Sequence, residues 1–229
     1  MTLSLIDRQL PDNQANDISS AQLTAELRVA VPGIVQSFNA TAQTVVVKPA
    51  ILEDVMIDGV QQNIDIGQIA DVPVAVYRAG TFSLTLPIKA GDECLIVFAD
   101  ACIDAWFQSG GQQARIDGRR HAISDAIAIF GLSSTPRALA AYSTTAAQLR
   151  SDDGNTVVEV GAGEVTIKAA TITVQSTGNV NVSGTHVNVT GSTTVAISGN
   201  NTTTIDGKDF LLHTHAGVTT GGGVTGPVV

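Results

Sequence analysis

Two histidines near the end of the chain, His213 and His215, stand one residue apart in the run Phe210-Leu211-Leu212-His213-Thr214-His215. On an extended segment successive side chains point to opposite faces, so residues i and i+2 present their imidazoles in the same direction. Two nitrogen ligands from one chain are too few for a tight metal site. A three-fold axis between three copies supplies six, and six ligands form an octahedral cage that suits a first-row metal such as Fe(II) better than tetrahedral zinc. On the motif alone, an exposed and idle pair is the alternative.

Other residues with chemical potential are less organised. His186 has the parity opposite to Val187 and is expected to face solvent. His121 follows Arg119 and Arg120 with no nucleophile motif nearby, which predicts a polar loop or interface residue rather than a base. Asp152, Asp153, Glu159 and Glu164 are the acids that a glycan hydrolase built on a trimeric β-helix would draw on for its paired carboxylates. They cluster at one end of a short region that has no tryptophan or tyrosine for sugar stacking. Cys94 and Cys102 are too few for a secreted disulfide framework and read as buried thiols. The expectation is a protein that is not an enzyme.

The elements that must position the histidines are written in a repeat. Between residues 157 and 198, β-branched pairs recur as Val158/Val160, Val165/Ile167, Ile172/Val174, Val180/Val182, Val187/Val189 and Val195/Ile197. Their starts are seven or eight residues apart, and the spacing of two puts both members of a pair on one strand face. Gly161, Gly163, Gly178, Gly184, Gly191 and Gly199 supply corners. This regularity marks a β-helix or β-prism.

Energetics selects among such folds. Fixing seven residues costs about 7–14 kcal/mol of backbone entropy, whereas two buried β-branched side chains return about 3–6 kcal/mol. Lateral pairing between chains and a shared core close that gap, and a three-chain prism provides both while leaving no open edge. A homotrimer follows as the expectation. The alternative, a monomeric parallel β-helix, uses longer rungs with bulkier stacked aliphatics.

Upstream, the composition is different. Residues 1–26 are polar and read as an N-terminal arm, either with a short helix near Ser20–Arg28 or ordered only on a partner. Residues 27–137 carry strand-like runs at 33–38, 44–49, 72–77, 82–87 and 93–99, separated by turn residues. Asp100 is placed to cap a helical turn in which Ile103, Trp106 and Phe107 share a face. Five strands and an accessory helix suggest an OB-like barrel, with a small sandwich as the alternative. Residues 138–150 read as a linker, 151–209 as the trimeric β-helical shaft and 210–229 as an apex holding the metal site. The fold class is therefore all-β: an OB-fold-like barrel followed by a trimeric intertwined β-helix or β-prism.

Charge and hydropathy narrow the partners. The formal charge is −9 with a pI near 4.7 and no basic run, which argues against nucleic acid. The start lacks the pattern of a secretory signal, which predicts assembly in a cytoplasm. Apolar runs such as Ala126-Ile127-Ala128-Ile129-Phe130 are too short to span a bilayer, so any membrane contact is expected to be mechanical or peripheral.

Taken together, these segments resemble the central spike proteins at the tip of contractile-tail baseplates in phages and related injection particles. The likeness is carried by Leu27–Val35, Phe82–Cys94, Asp104–Gly111, and above all His213-Thr214-His215 followed by Gly221-Gly222-Gly223-Val224-Thr225-Gly226. The resemblance implies a virion component in which an OB domain docks on the tail hub or tube. It also implies a trimeric shaft and an apex iron ion, one per trimer, held by His213 and His215 of three chains. Such a spike is driven through the host outer membrane by sheath contraction and does mechanical work rather than catalysis.

Overall fold

The computed structural model describes residues 27–198, 203–206 and 208–209. The chain divides into two units, Met1–Lys168 and Ala169–Val229. His213 and His215, the N-terminal arm and the apex residues lie outside the described residues.

The first unit is built on a closed five-stranded barrel. Its strands are β1 (Ala30–Asn39), β2 (Thr44–Pro49), β5 (Ile69–Ala75), β8 (Glu93–Phe98) and β9 (Ala126–Phe130), in the order β1-β2-β5-β9-β8. All neighbours are antiparallel except β5 and β9, which run parallel. This is an OB-like closed barrel, as the strand spacing predicts. Period-two burial drives it: Val45, Val47, Cys94, Ile96 and Phe98 point inward together with Val35, Ile69, Val72, Ala126 and Ala128. Register shifts at Val35/Ser37 and at Val45/Val47 let β1 and β2 coil around this small core. At Gly33 the backbone comes so close to the core that an added Cβ would lie 2.5 Å from Ile96 Cδ1 and 2.8 Å from Val47 Cγ2.

One expectation for the barrel is corrected. The run 82–87 is not a barrel strand: β7 (Phe82–Leu84) pairs only with β6 (Tyr77–Ala79) in an exposed hairpin. The fifth wall is instead β9, whose Ala126 and Ala128 are small enough to sit fully buried against β8. Alanine is a poor strand former, so propensity alone undervalues that segment. A second hairpin, β3 (Glu53–Ile57) with β4 (Val60–Ile64), also stands off the barrel.

Between β8 and β9 lies the helix α1, Asp104–Ser109. Asp100 does not cap it; Ile103 precedes the helix with no side-chain cap, and Asp100 binds Arg120 Nη1 through both oxygens at 2.6 and 2.7 Å. Trp106 and Phe107 remain about half exposed.

After the barrel, β10 (Ala147–Arg150), β11 (Val157–Val160) and β12 (Val165–Lys168) form an antiparallel three-stranded sheet. In the second unit, residues 169–198 form no strand or helix, and β13 (Thr204–Ile205) pairs with β14 (Lys208–Asp209).

Candidate functional site

Side-chain parity gives the β10–β12 sheet two unlike faces. The register aligns Leu149 with Val158 and Ile167, and Ala147 with Val160 and Val165. One face is therefore wholly apolar, and its Leu149, Val158, Val160, Val165 and Ile167 are 39–65% exposed. The other face presents Gln148, Arg150, Glu159, Thr166 and Lys168 together with Val157, and Gln148 is hydrogen-bonded to Glu159. An apolar face of this kind on a thin sheet marks an interaction surface rather than a solvated one.

The same property continues in the second unit. Ile172, Val174, Val180, Val182, Val187, Val189, Val195 and Ile197 are 48–77% exposed. Between residues 169 and 198 these pairs sit on chain that forms no strand among the described residues. Backbone groups and apolar side chains are both left for something else to satisfy.

The four acids of the hydrolase reading are placed separately. Asp153 Oδ1 accepts from Ser151 Oγ at 2.5 Å and from the Asn155 amide at 3.0 Å, and Oδ2 accepts from Asn155 Nδ2 at 2.7 Å. These bonds, Ser151 first, hold its carboxyl down to about 2, opposite to what a general acid needs. Asp153 organises the turn between β10 and β11. Glu159 is tied to Gln148, while Asp152 and Glu164 are exposed on turns.

Sequence reading missed the most developed polar group of the barrel. Asp125 is completely buried, and Arg119 binds it with Nε at 2.6 Å and Nη2 at 2.9 Å. The same guanidinium reaches Asp104 at 2.7 Å and Asp117 at 3.3 Å, and Asp125 also accepts the Ile103 amide at 3.0 Å. Hydrogen bonding to Arg119 holds the Asp125 carboxyl below its ordinary value, and Asp125 and Asp104 in turn push the Arg119 guanidinium up. Cys102 Sγ and carboxylate oxygens of Asp104 and Asp125 lie within 4.8 Å of one another, a spacing that could hold a metal. Arg119 already occupies the carboxylates there, so the group works as a charge-assisted anchor for the loop 99–125.

The remaining polar candidates are structural. His121 sits at a φ of +46° with Nε2 3.5 Å from Asp100 Oδ1 and Nδ1 buried without a partner, while His186 is exposed. Cys94 and Cys102 are buried free thiols, as their number and setting predict, and burial pushes Cys94 up to about 11.

A groove of about 260 Å³ lies between the barrel end and the β6–β7 hairpin, lined by Phe38, Val74, Tyr77, Leu84, Leu86 and Phe130 among others.

None of the curated proteins matches this chain. Residues 31–131, somewhat under half of the chain and nearly the span of the closed barrel, match the family model described as the phage protein Gp138 N-terminal domain.

Proposed function

We propose that the protein is the central spike of a contractile-tail baseplate. It works as a homotrimer whose barrels dock on the tail hub or tube and whose shaft is pushed through the host outer membrane. The observation that carries this reading is the long series of exposed β-branched side chains from Val158 to Ile197, downstream of a barrel that matches a phage protein domain. Three copies give each apolar face a partner. Covering the half-exposed Leu149, Val158, Val160, Val165 and Ile167 stabilises the assembly by about 4–8 kcal/mol per chain. Pairing between chains satisfies the backbone of residues 169–198 at the same time.

At the apex, His213 and His215 of three chains supply six imidazoles to one iron ion. The donor chemistry fits a first-row metal in octahedral coordination. Such an ion would tie the three chains together and close the tip; its role would be structural, and the work on the membrane comes from the contracting sheath. Polar Thr, Asn and Ser side chains keep the rod soluble before firing.

The test is placement in a particle. Antibody to this chain should label the distal tip of the tail in negatively stained particles; label on the head or collar only, or no label, contradicts the reading.

A further inference from the structure

The chain between β9 and β10 runs through Leu132–Ala146, rich in Ser, Thr and Ala, a composition common in flexible connectors. Its hydrogen bonds show otherwise. Glu93, the first residue of β8, accepts the Ser134 amide at 2.5 Å and the Ser134 hydroxyl at 2.7 Å, one on each oxygen. Three residues on, Arg137 donates to the Gly91 carbonyl at 2.7 Å and reaches Asp92 at 3.4 Å. A 3-10 turn, Thr135–Arg137, links the two contacts, with the Arg137 amide donating to the Ser134 carbonyl at 2.9 Å. The chain is thus held at two points on one edge of the barrel wall.

The far end is held as well. Arg150, the last residue of β10, donates from Nη1 to the Ala141 carbonyl at 2.9 Å while its Nε and Nη2 bind the carbonyls of Ser151 and Asp152 at 3.1 Å each. Ala141 takes a φ of +51°, which turns the chain at that contact. Between the two fastenings only Ala138, Leu139 and Ala140 are left.

We propose that these contacts form a two-ended clasp that turns a nominal linker into a short hinge. The barrel-side jaw is Glu93, Gly91 and Asp92 on Ser134 and Arg137; the sheet-side jaw is Arg150 on Ala141. From Arg137 to Ala141 the chain spans at most about 14 Å when fully extended, so barrel and sheet can swing but can separate only slightly. For a spike this passes a thrust on the barrel to the shaft with little lost travel, a purpose that rests on the function proposed above; the clasp itself rests on the contacts. The low carboxyl of Glu93, held down by Ser134, keeps the barrel-side jaw ionised under ordinary conditions.

Hydrogen–deuterium exchange on the intact full-length protein, read by peptide mass spectrometry, tests this directly. Residues 133–138 should exchange about tenfold more slowly than the exposed stretch 110–114. The double variant Glu93→Ala/Arg137→Ala should raise exchange at 133–138 to the rate of that stretch, with peptides covering β8 and β9 unchanged. Equal exchange at 133–138 and 110–114 in the unaltered protein overturns the clasp without any variant being made, as does a double variant that folds and keeps its protection. If the double variant loses protection in β8 and β9, Glu93→Ala alone, which removes both acceptors from Ser134, takes its place, and undiminished protection at 133–138 also overturns the clasp. Sedimentation of the same sample separates this from the spike reading: a monomer with a protected 133–138 keeps the clasp and removes the spike.

Discussion

Asp125 has no exposed surface, yet it carries a charge in the middle of a loop-to-strand junction. Its ordinary value is 3.8, and Arg119 holds it lower, followed by the Ile103 amide. A carboxyl lowered on folding adds stability above its unfolded value, and that contribution is lost as pH falls through the lower folded value. The difference in urea midpoint between the native protein and Asp125→Asn is therefore expected to be constant at neutral pH and to shrink below about pH 4. Arg119→Ala leaves the buried carboxylate without its cation, so its melting temperature should drop at pH 7 and partly recover on acidification; calorimetry across pH reads both. At Gly33 the physics is steric. Gly33→Ala drives a methyl into Ile96 and Val47 and should cost about 1–3 kcal/mol in urea denaturation. Neither residue was legible from sequence as a key position. Asp125 meets partners that are distant along the chain, and Gly33 looks like any strand glycine until the opposite wall is in place. The buried thiols were legible, because an apolar strand around Cys94 dictates burial directly.

At the scale of elements, the sheet β10–β12 carries the assembly claim. Val158→Asp on the central strand, or Ile167→Asp on the edge strand β12, places a charge on its apolar face. Each should convert the assembly to single chains in size-exclusion chromatography with light scattering while leaving the barrel folded. Thr166→Asp on the opposite face should not. Legibility here followed chemistry. Strands β1, β2, β5 and β8 were visible from alternating or continuous apolar runs between turn residues. Strand β9 was not, because its inward positions are alanines whose fitness depends on the narrow barrel rather than on propensity. Phe82, Leu84 and Leu86 misled for the converse reason: their alternation is real, but it serves an exposed hairpin and the wall of an apolar groove. In residues 169–198 the seven-to-eight residue period was plain, whereas no strand forms there among the described residues.

For the whole molecule, the proposed reading joins the barrel to the repeat of exposed β-branched side chains through a core shared by three chains. The proposed metal site depends on that symmetry, since each chain brings two histidines, His213 and His215, to a site that needs six ligands. His213→Ala and His215→Ala should each lower bound iron from about one ion per three chains toward none, measured on protein purified without a histidine tag. The measurement that tests the central claim most directly is the mass of the intact protein by sedimentation equilibrium in native buffer. A single species of about 71 kDa, three times the 23.6 kDa chain, is the predicted result; a species of 23.6 kDa across the concentration range would contradict the shared core and the spike together.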